Sequence, residues 1–341
     1  MINKKFLFIY LLMFILLIMV FLFSLMYGSN KISFIEILKT LLGSIDIDGN
    51  VAIVIKQIRL PRTIMTCIVG AGLAVSGCVF QAILKNPLAD PFTLGISSGA
   101  ALGVAIAFVF GLSSITNFFI PFCAFIGMTI SVIIVYLLSV RRRFASKTMI
   151  LSGVIVSYIF SSAVMLLFAL SPSNSVQTAF VWLLGDFSNF DERLLPFTVV
   201  VILVSIIVLS LLGNVINTVC LSYEKSKTFG IDIEKNITFL FFAASIVTSA
   251  TVSVCGIIGF VGLIIPHTMR KIVGTNNNML LIPASAFSGA FFLTFCDTLS
   301  RVLFSPILIP IGIITNTIGG FFFVCLLLKS DDGAIQSGAY R

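Results

Sequence analysis

The sequence predicts an all-α integral membrane protein, a polytopic bundle of about ten spans, and three observations predict it. Of 341 residues, 59% are hydrophobic and only 10% charged, where soluble domains carry about 25% charged residues. Mean hydropathy is +1.17. No Asp, Glu, Lys or Arg stands between Asp90 and Arg141, a distance that a membrane accommodates and water does not.

The first apolar run, Phe6 to Tyr27, follows Lys4-Lys5 and resembles a signal peptide. It exceeds the roughly 7–15 residues of a signal core and no A-x-A site follows, so an uncleaved span is expected. Further runs of span length lie near 63–84, 92–112, 118–140, 148–170, 194–213, 236–254, 279–298 and 306–328. A shorter run at 257–269 makes the tenth crossing. Too short for a hydrocarbon core of about 30 Å, it is expected to be a tilted broken helix or a re-entrant piece. Ten crossings place both termini on one side, and residues 1–341 form one membrane domain.

The second and third runs carry Gly70, Gly72, Ser76 and Gly77, then Gly95, Gly99 and Gly103. Small-xxx-small spacing lets helix backbones approach closely in lipid, so these helices face protein. Between them, Asn86, Pro87, Asp90 and Pro91 make a tight turn, because each proline stops a helix and biases the residue before it. Residues 171–193 contain the sole Trp and read as an interfacial helix over Ala179–Leu184. Residues 214–235 are a polar segment on the cytoplasmic side.

The net charge of +8 does not mark a nucleic-acid binder, since the basic residues are scattered between apolar runs. With a cytoplasmic N terminus, 14 of the 21 Lys and Arg fall on the cytoplasmic side and 7 outside, as the positive-inside rule requires. The seven cysteines mostly lie within apolar runs, with no C-x-x-C pair and no His cluster, and read as reduced packing residues with no metal role.

Catalytic chemistry is poorly supplied. There is one His, no carboxylate pair within a span, and no G-x-S-x-G or H-E-x-x-H, so no catalytic residue is named. No G-x-x-x-x-G-K-[ST] loop is present, and any ATP-driven work belongs to a separate subunit. An ion-coupled secondary transporter, the rival from another class, needs ionisable groups inside the membrane. The spans offer Asp297, which reads as an i,i+4 pair with Arg301. His267 reads as a polar residue at a helix end.

The Arg59-Leu-Pro-Arg62 start, the small-residue helix ending at Gln81, the NPLADP turn, the LGISSGA that follows and GFVGLIIPH from Gly259 resemble the permease family of ABC importers for iron chelates, haem and vitamin B12. The resemblance runs from about Arg59 to Leu328. It implies a bacterial cytoplasmic membrane protein, paired with a second permease, two ATP-binding subunits that use ATP and Mg, and an extracytoplasmic substrate-binding protein. This chain would bind no cofactor. The resemblance further implies that Arg59, Arg62 and Arg301 meet acidic residues of the binding protein. It implies a coupling loop at Glu224, Lys225, Lys227 and Gly230, and a cytoplasmic gate near Ser146. The expected cargo is an iron-siderophore complex, with haem or a corrinoid as the alternatives.

Overall fold

The computed structural model describes residues 4–28, 30–42, 49–112, 115–116, 118–142, 144–188, 191–220, 232–303, 305 and 307–334, of which 326, 327 and 329–334 as backbone alone. The helices in chain order are α1 (Lys4–Met26), α2 (Phe34–Leu41), α3 (Gly49–Ile53), α4 (Leu60–Ile83), α5 (Ile96–Val109), α6 (Phe119–Val140) and α7 (Ser146–Ala169). There follow α8 (Ser173–Leu183), α9 (Leu195–Leu211), α10 (Gly213–Cys220), α11 (Ile233–Cys255), α12 (Val261–Met269), α13 (Asn278–Val302) and α14 (Ile311–Ala334). Among the described residues there is no strand.

Among the described residues, seven segments are long and apolar enough to cross a membrane: α1, Gly49–Ile83, α6, α7, Glu192–Leu211, α11 and α13. The second of these runs through a π turn at Val54–Arg59, which joins α3 to α4 without a break. Pro61 then sits in the first turn of α4, directly after that π turn, and contributes no N–H to the continuous helix.

The third run divides instead of forming one span from Phe92. Pro91–Leu94 is a 3-10 turn, Gly95 adopts the left-handed region at φ 80°, and the α-helix begins only at Ile96. The 14 residues of α5 rise about 21 Å, short of the hydrocarbon thickness.

The tenth-crossing stretch is also resolved. Phe260 is left-handed at φ 70°, α12 has 9 residues, and a π turn Arg270–Gly274 continues it. The backbone at 256–259 is not helical. At membrane depth such backbone must be covered by protein or line water. Here Asp186 N–H donates to the Cys255 carbonyl at 2.9 Å, while Ile311 and Gly312 N–H donate to Gly185 and Leu184 at 3.0 and 3.1 Å. The 184–186 loop is thus held between the end of α11 and the start of α14.

The face at which α1 begins is termed proximal below, the opposite face distal. α4 is the central helix and packs most extensively on α13, then on α11, α12 and α9, whereas α5, α6 and α7 form a second group. Of the most apolar stretch of Gly49–Ile83, 83% is buried, against 11% for α1. Small residues permit this packing: a Cβ on Gly70 would stand 2.3 Å from the Gly289 carbonyl of α13, and one on Gly99 2.5 Å from the Gly127 carbonyl of α6. Gly77 meets Gly262, Gly103 meets the Cys123 carbonyl, and Gly72 lies against Ile202, Val247 and Thr251. Ser76 is buried and donates to the Leu73 carbonyl at 3.0 Å.

Candidate functional site

At the distal face the start of α4 and the end of α13 bring charge together. Asp297 on α13 is 0% exposed, and Arg59, Arg62 and Arg301 are 5%, 7% and 6% exposed. Arg62 donates Nε and Nη2 to Asp297 Oδ1 at 3.0 and 2.8 Å, and Nη1 to Ser188 Oγ at 2.9 Å. Arg301, one turn beyond Asp297, places Nε 3.1 Å from Oδ2, an ion-pair distance at an angle that leaves Nε without a hydrogen bond. Its Nη2 donates to Ser24 Oγ at 2.7 Å.

The same cluster caps α1. The last carbonyls of a helix have no intrahelical partners and carry partial negative charge. Arg59 Nη1 donates to the Leu25 and Met26 carbonyls at 2.6 and 3.1 Å, and its Nη2 to the Asn30 carbonyl. Ser24 Oγ and Thr63 Oγ1 lie 2.9 Å apart. Three arginines expected to reach a partner protein are therefore turned inward. The buried carboxylate and the end of α1 hold their guanidinium groups, because a buried charge needs partners close at hand.

At the proximal face Gln81, at the end of α4, donates Nε2 to the Gly262 and Leu263 carbonyls at 3.2 and 3.3 Å, and Arg270 Nη1 donates to Gln81 Oε1. The intervening turn is built by its own polar atoms: Asn86 Oδ1 accepts from Leu88 N–H, and Thr93 Oγ1 donates to the Asp90 carbonyl at 2.7 Å. Asp90 keeps part of its surface exposed, yet desolvation of its carboxyl pushes it up to about 7, against a smaller lowering by the Phe92 N–H. Ser146 opens α7, half-buried, after Phe144 at φ 54°. His267 lies on α12 with Nε2 buried and unbonded. Glu224, Lys225, Lys227 and Gly230 lie outside the described residues.

A third feature lies within the spans. α7 exposes Tyr158, Ser161 and Ser162, and α14 exposes Asn316 and Thr317. Asn316 stands over the non-helical stretch, since a Cβ on Gly259 would meet its Oδ1 at 2.6 Å. The two groups, together called the stripe below, carry no charge and stand among exposed apolar side chains such as Ile155, Ile159, Ile313 and Phe321.

The sequence profile of the FecCD transport family matches residues 16–329. The chain belongs to that family. FecCD relatives include an uncharacterized ABC transporter permease, YvrB, of Bacillus subtilis, 36% identical over 288 residues, 82% of this chain and 80% of that one. The cobalamin import system permease BtuC of Halobacterium salinarum is 36% identical over 276 residues, 81% and 73% of the two chains. The vitamin B12 import permease BtuC of Citrobacter koseri is 32% identical over 274 residues, 80% and 82%. A solved structure described as an inward-facing metal-chelate type ABC transporter superposes with a TM-score of 0.82 at 30% identity, covering 95% and 99%. This FecCD chain is accordingly an all-helical, multi-pass permease subunit of an ABC importer.

Sequence reasoning missed two groups in this FecCD member. Asn217 of α10 donates Nδ2 to Asn277 Oδ1 and accepts from Asn278 N–H and Nδ2 at Oδ1, each at 2.8 Å. Those bonds fasten the first part of the expected 214–235 coupling loop, which is helical as α10, to the start of α13. Three consecutive asparagines at 276–278, of a residue type that caps helices, were the available signal. The stripe on α7 and α14 was missed because serine and threonine also occur in well-packed spans.

Proposed function

We propose that this chain is half of a translocation path for a metal chelate, with the proximal face cytoplasmic. Membership of the FecCD family over residues 16–329 is the observation that carries the reading. The cargo is taken to be an iron-siderophore complex. A corrinoid is the second reading, favoured by relatives named for cobalamin and vitamin B12 import.

The path follows the stripe of Tyr158, Ser161, Ser162, Asn316 and Thr317. Polar groups facing lipid are unfavourable, whereas facing a second permease they line a wet, uncharged passage suited to a bulky cargo already recognised elsewhere. The non-helical backbone at 256–259 borders that passage, as unwound backbone does where it lines a cavity. Energy comes from two ATP-binding subunits docked on the proximal face, and cargo from an extracytoplasmic binding protein. Arg59, Arg62 and Arg301 act on that protein through their field. Three guanidinium groups against Asp297 and the nearby Asp186 leave positive potential that steers an acidic surface within about a Debye length.

The test is uptake by vesicles holding the assembled complex. Labelled ferric siderophore or cobalamin should accumulate only with ATP and binding protein, and should persist when the proton gradient is collapsed. Accumulation driven by the gradient with ATP absent would reject the reading in favour of a secondary carrier.

A further inference from the structure

The face of α11 that looks away from α4 is the floor of a furrow. Its walls are α6 and α9, which both pack on α11 but make almost no contact with each other. At the distal end the furrow opens into a cavity of about 540 Å³ between Phe122, Phe125, Phe197, Ile246 and Ala250. A narrower 210 Å³ section follows, bounded by Val204, Val208, Phe239, Phe242 and Ile246. The proximal end widens to 510 Å³ between Tyr136, Phe144, Glu234, Lys235, Phe239 and Phe242. Ile246 lines the first two sections, and Phe239 and Phe242 the last two, so the three follow one another along α11. Small residues Ala243 and Ala250 on α11 create its depth.

The two ends differ in charge. Val140 and Phe144 line the proximal mouth, and the turn between them carries Arg141 and Arg142, both exposed. Lys235 is exposed at the same rim, 3.1 Å from Asp232 Oδ2, and Glu234 lines the mouth beside it. Among the described residues of this rim, Arg141, Arg142 and Lys235 outnumber Asp232 and Glu234 by one positive charge, at a mouth that leads into an apolar, aromatic slot. The stripe proposed to meet a second permease lies on other helices, α7 and α14.

We infer that the proximal half of this furrow binds an anionic glycerophospholipid. One acyl chain lies over Phe239 and Phe242, and the phosphate sits at the rim formed by Arg141, Arg142 and Lys235. Basic pockets between spans on the cytoplasmic side select anionic headgroups, and a furrow of several hundred Å³ matches the volume of sites that enclose small ligands. The inference rests on the multi-pass reading and not on the cargo, so failure of the uptake experiment would leave it standing.

The test places a single tryptophan in the slot. The full-length F239W variant in a W182F background is reconstituted into lipid carrying brominated acyl chains. Brominated phosphatidylglycerol should reach half-quenching at roughly fivefold lower mole fraction than brominated phosphatidylcholine, the factor that one surplus basic charge at a membrane surface supplies. Adding R141Q, R142Q and K235Q leaves Asp232 and Glu234 at the mouth and should abolish or invert that preference, with quenching by the phosphatidylcholine probe unchanged as evidence that the fold persists. Dissolved glycerol 3-phosphate should not displace the lipid. On the unaltered chain, native mass spectrometry should retain phosphatidylglycerol in preference to phosphatidylcholine. Equal quenching by the two lipids, a preference that survives the triple substitution, displacement by glycerol 3-phosphate, or no quenching at all because protein covers the furrow would each overturn the inference.

Discussion

Asp297 is the residue on which the distal end of the bundle depends. Its carboxylate stands between Arg62 and Arg301 with no exposure, and removing one partner of a buried ion pair typically costs about 3–5 kcal/mol. Asp297→Ala should lower stability by about that amount in a thermal melt of the detergent-solubilised permease, and Asp297→Asn by nearly as much, since neither neutralises the two arginines. Asp90 gives a pH-dependent counterpart. Its carboxyl titrates near 7 in the folded chain and near 3.9 when unfolded. Between those values the folded state binds more protons, so its contribution to stability declines as pH rises from about 4 to about 7. Asp90→Asn should raise the melting temperature at pH 8 and leave it nearly unchanged at pH 4. The i,i+4 spacing of Asp297 and Arg301 was legible in the sequence. Arg62 as the better hydrogen-bond partner was not, because 235 residues of chain separate the two.

Among elements, α4 and α13 form the interface that small residues make possible. Gly70 and Gly289 each present a carbonyl 2.3 Å from where a Cβ on the other would lie, closer than any side chain tolerates. Gly289→Val should therefore destabilise by at least the roughly 1–3 kcal/mol of an overpacked core, seen as a lower melting temperature or as loss of folded protein on size exclusion. Gly320→Ala on α14 is the matched control, since nothing lies within 4 Å of its Cβ position, and it should leave the melt unchanged. The glycine spacing on α4 and α5 announced close packing, but their partners on α6, α12 and α13 came only from the fold. The short α5 and α12 were harder to place. An apolar run reports that a segment is buried, whereas Pro91, Gly95 and Phe260 decide how much of it is helix.

For the whole molecule, the path reading makes coupling a property of segments on the proximal face. Gly230→Val should leave ATP hydrolysis of the assembled complex within about twofold while uptake per ATP falls at least tenfold; unchanged coupling would place the joint elsewhere. Fold class and family were legible because hydropathy and the NPLADP and GFVGLIIPH stretches are local. The inward turn of the distal arginines was hidden because it depends on where α1 ends. That last point bears on biogenesis. Arg301 reaches Ser24 across 277 residues, and at about 5–20 residues per second the ribosome needs roughly 15–55 s to supply it. Through that interval the earliest helix waits in the bilayer with Arg59 at its Leu25 and Met26 carbonyls but without Arg301 at those of Ser24 and Tyr27, so a chain stalled before α13 would present the quality-control machinery with a first segment only partly fastened.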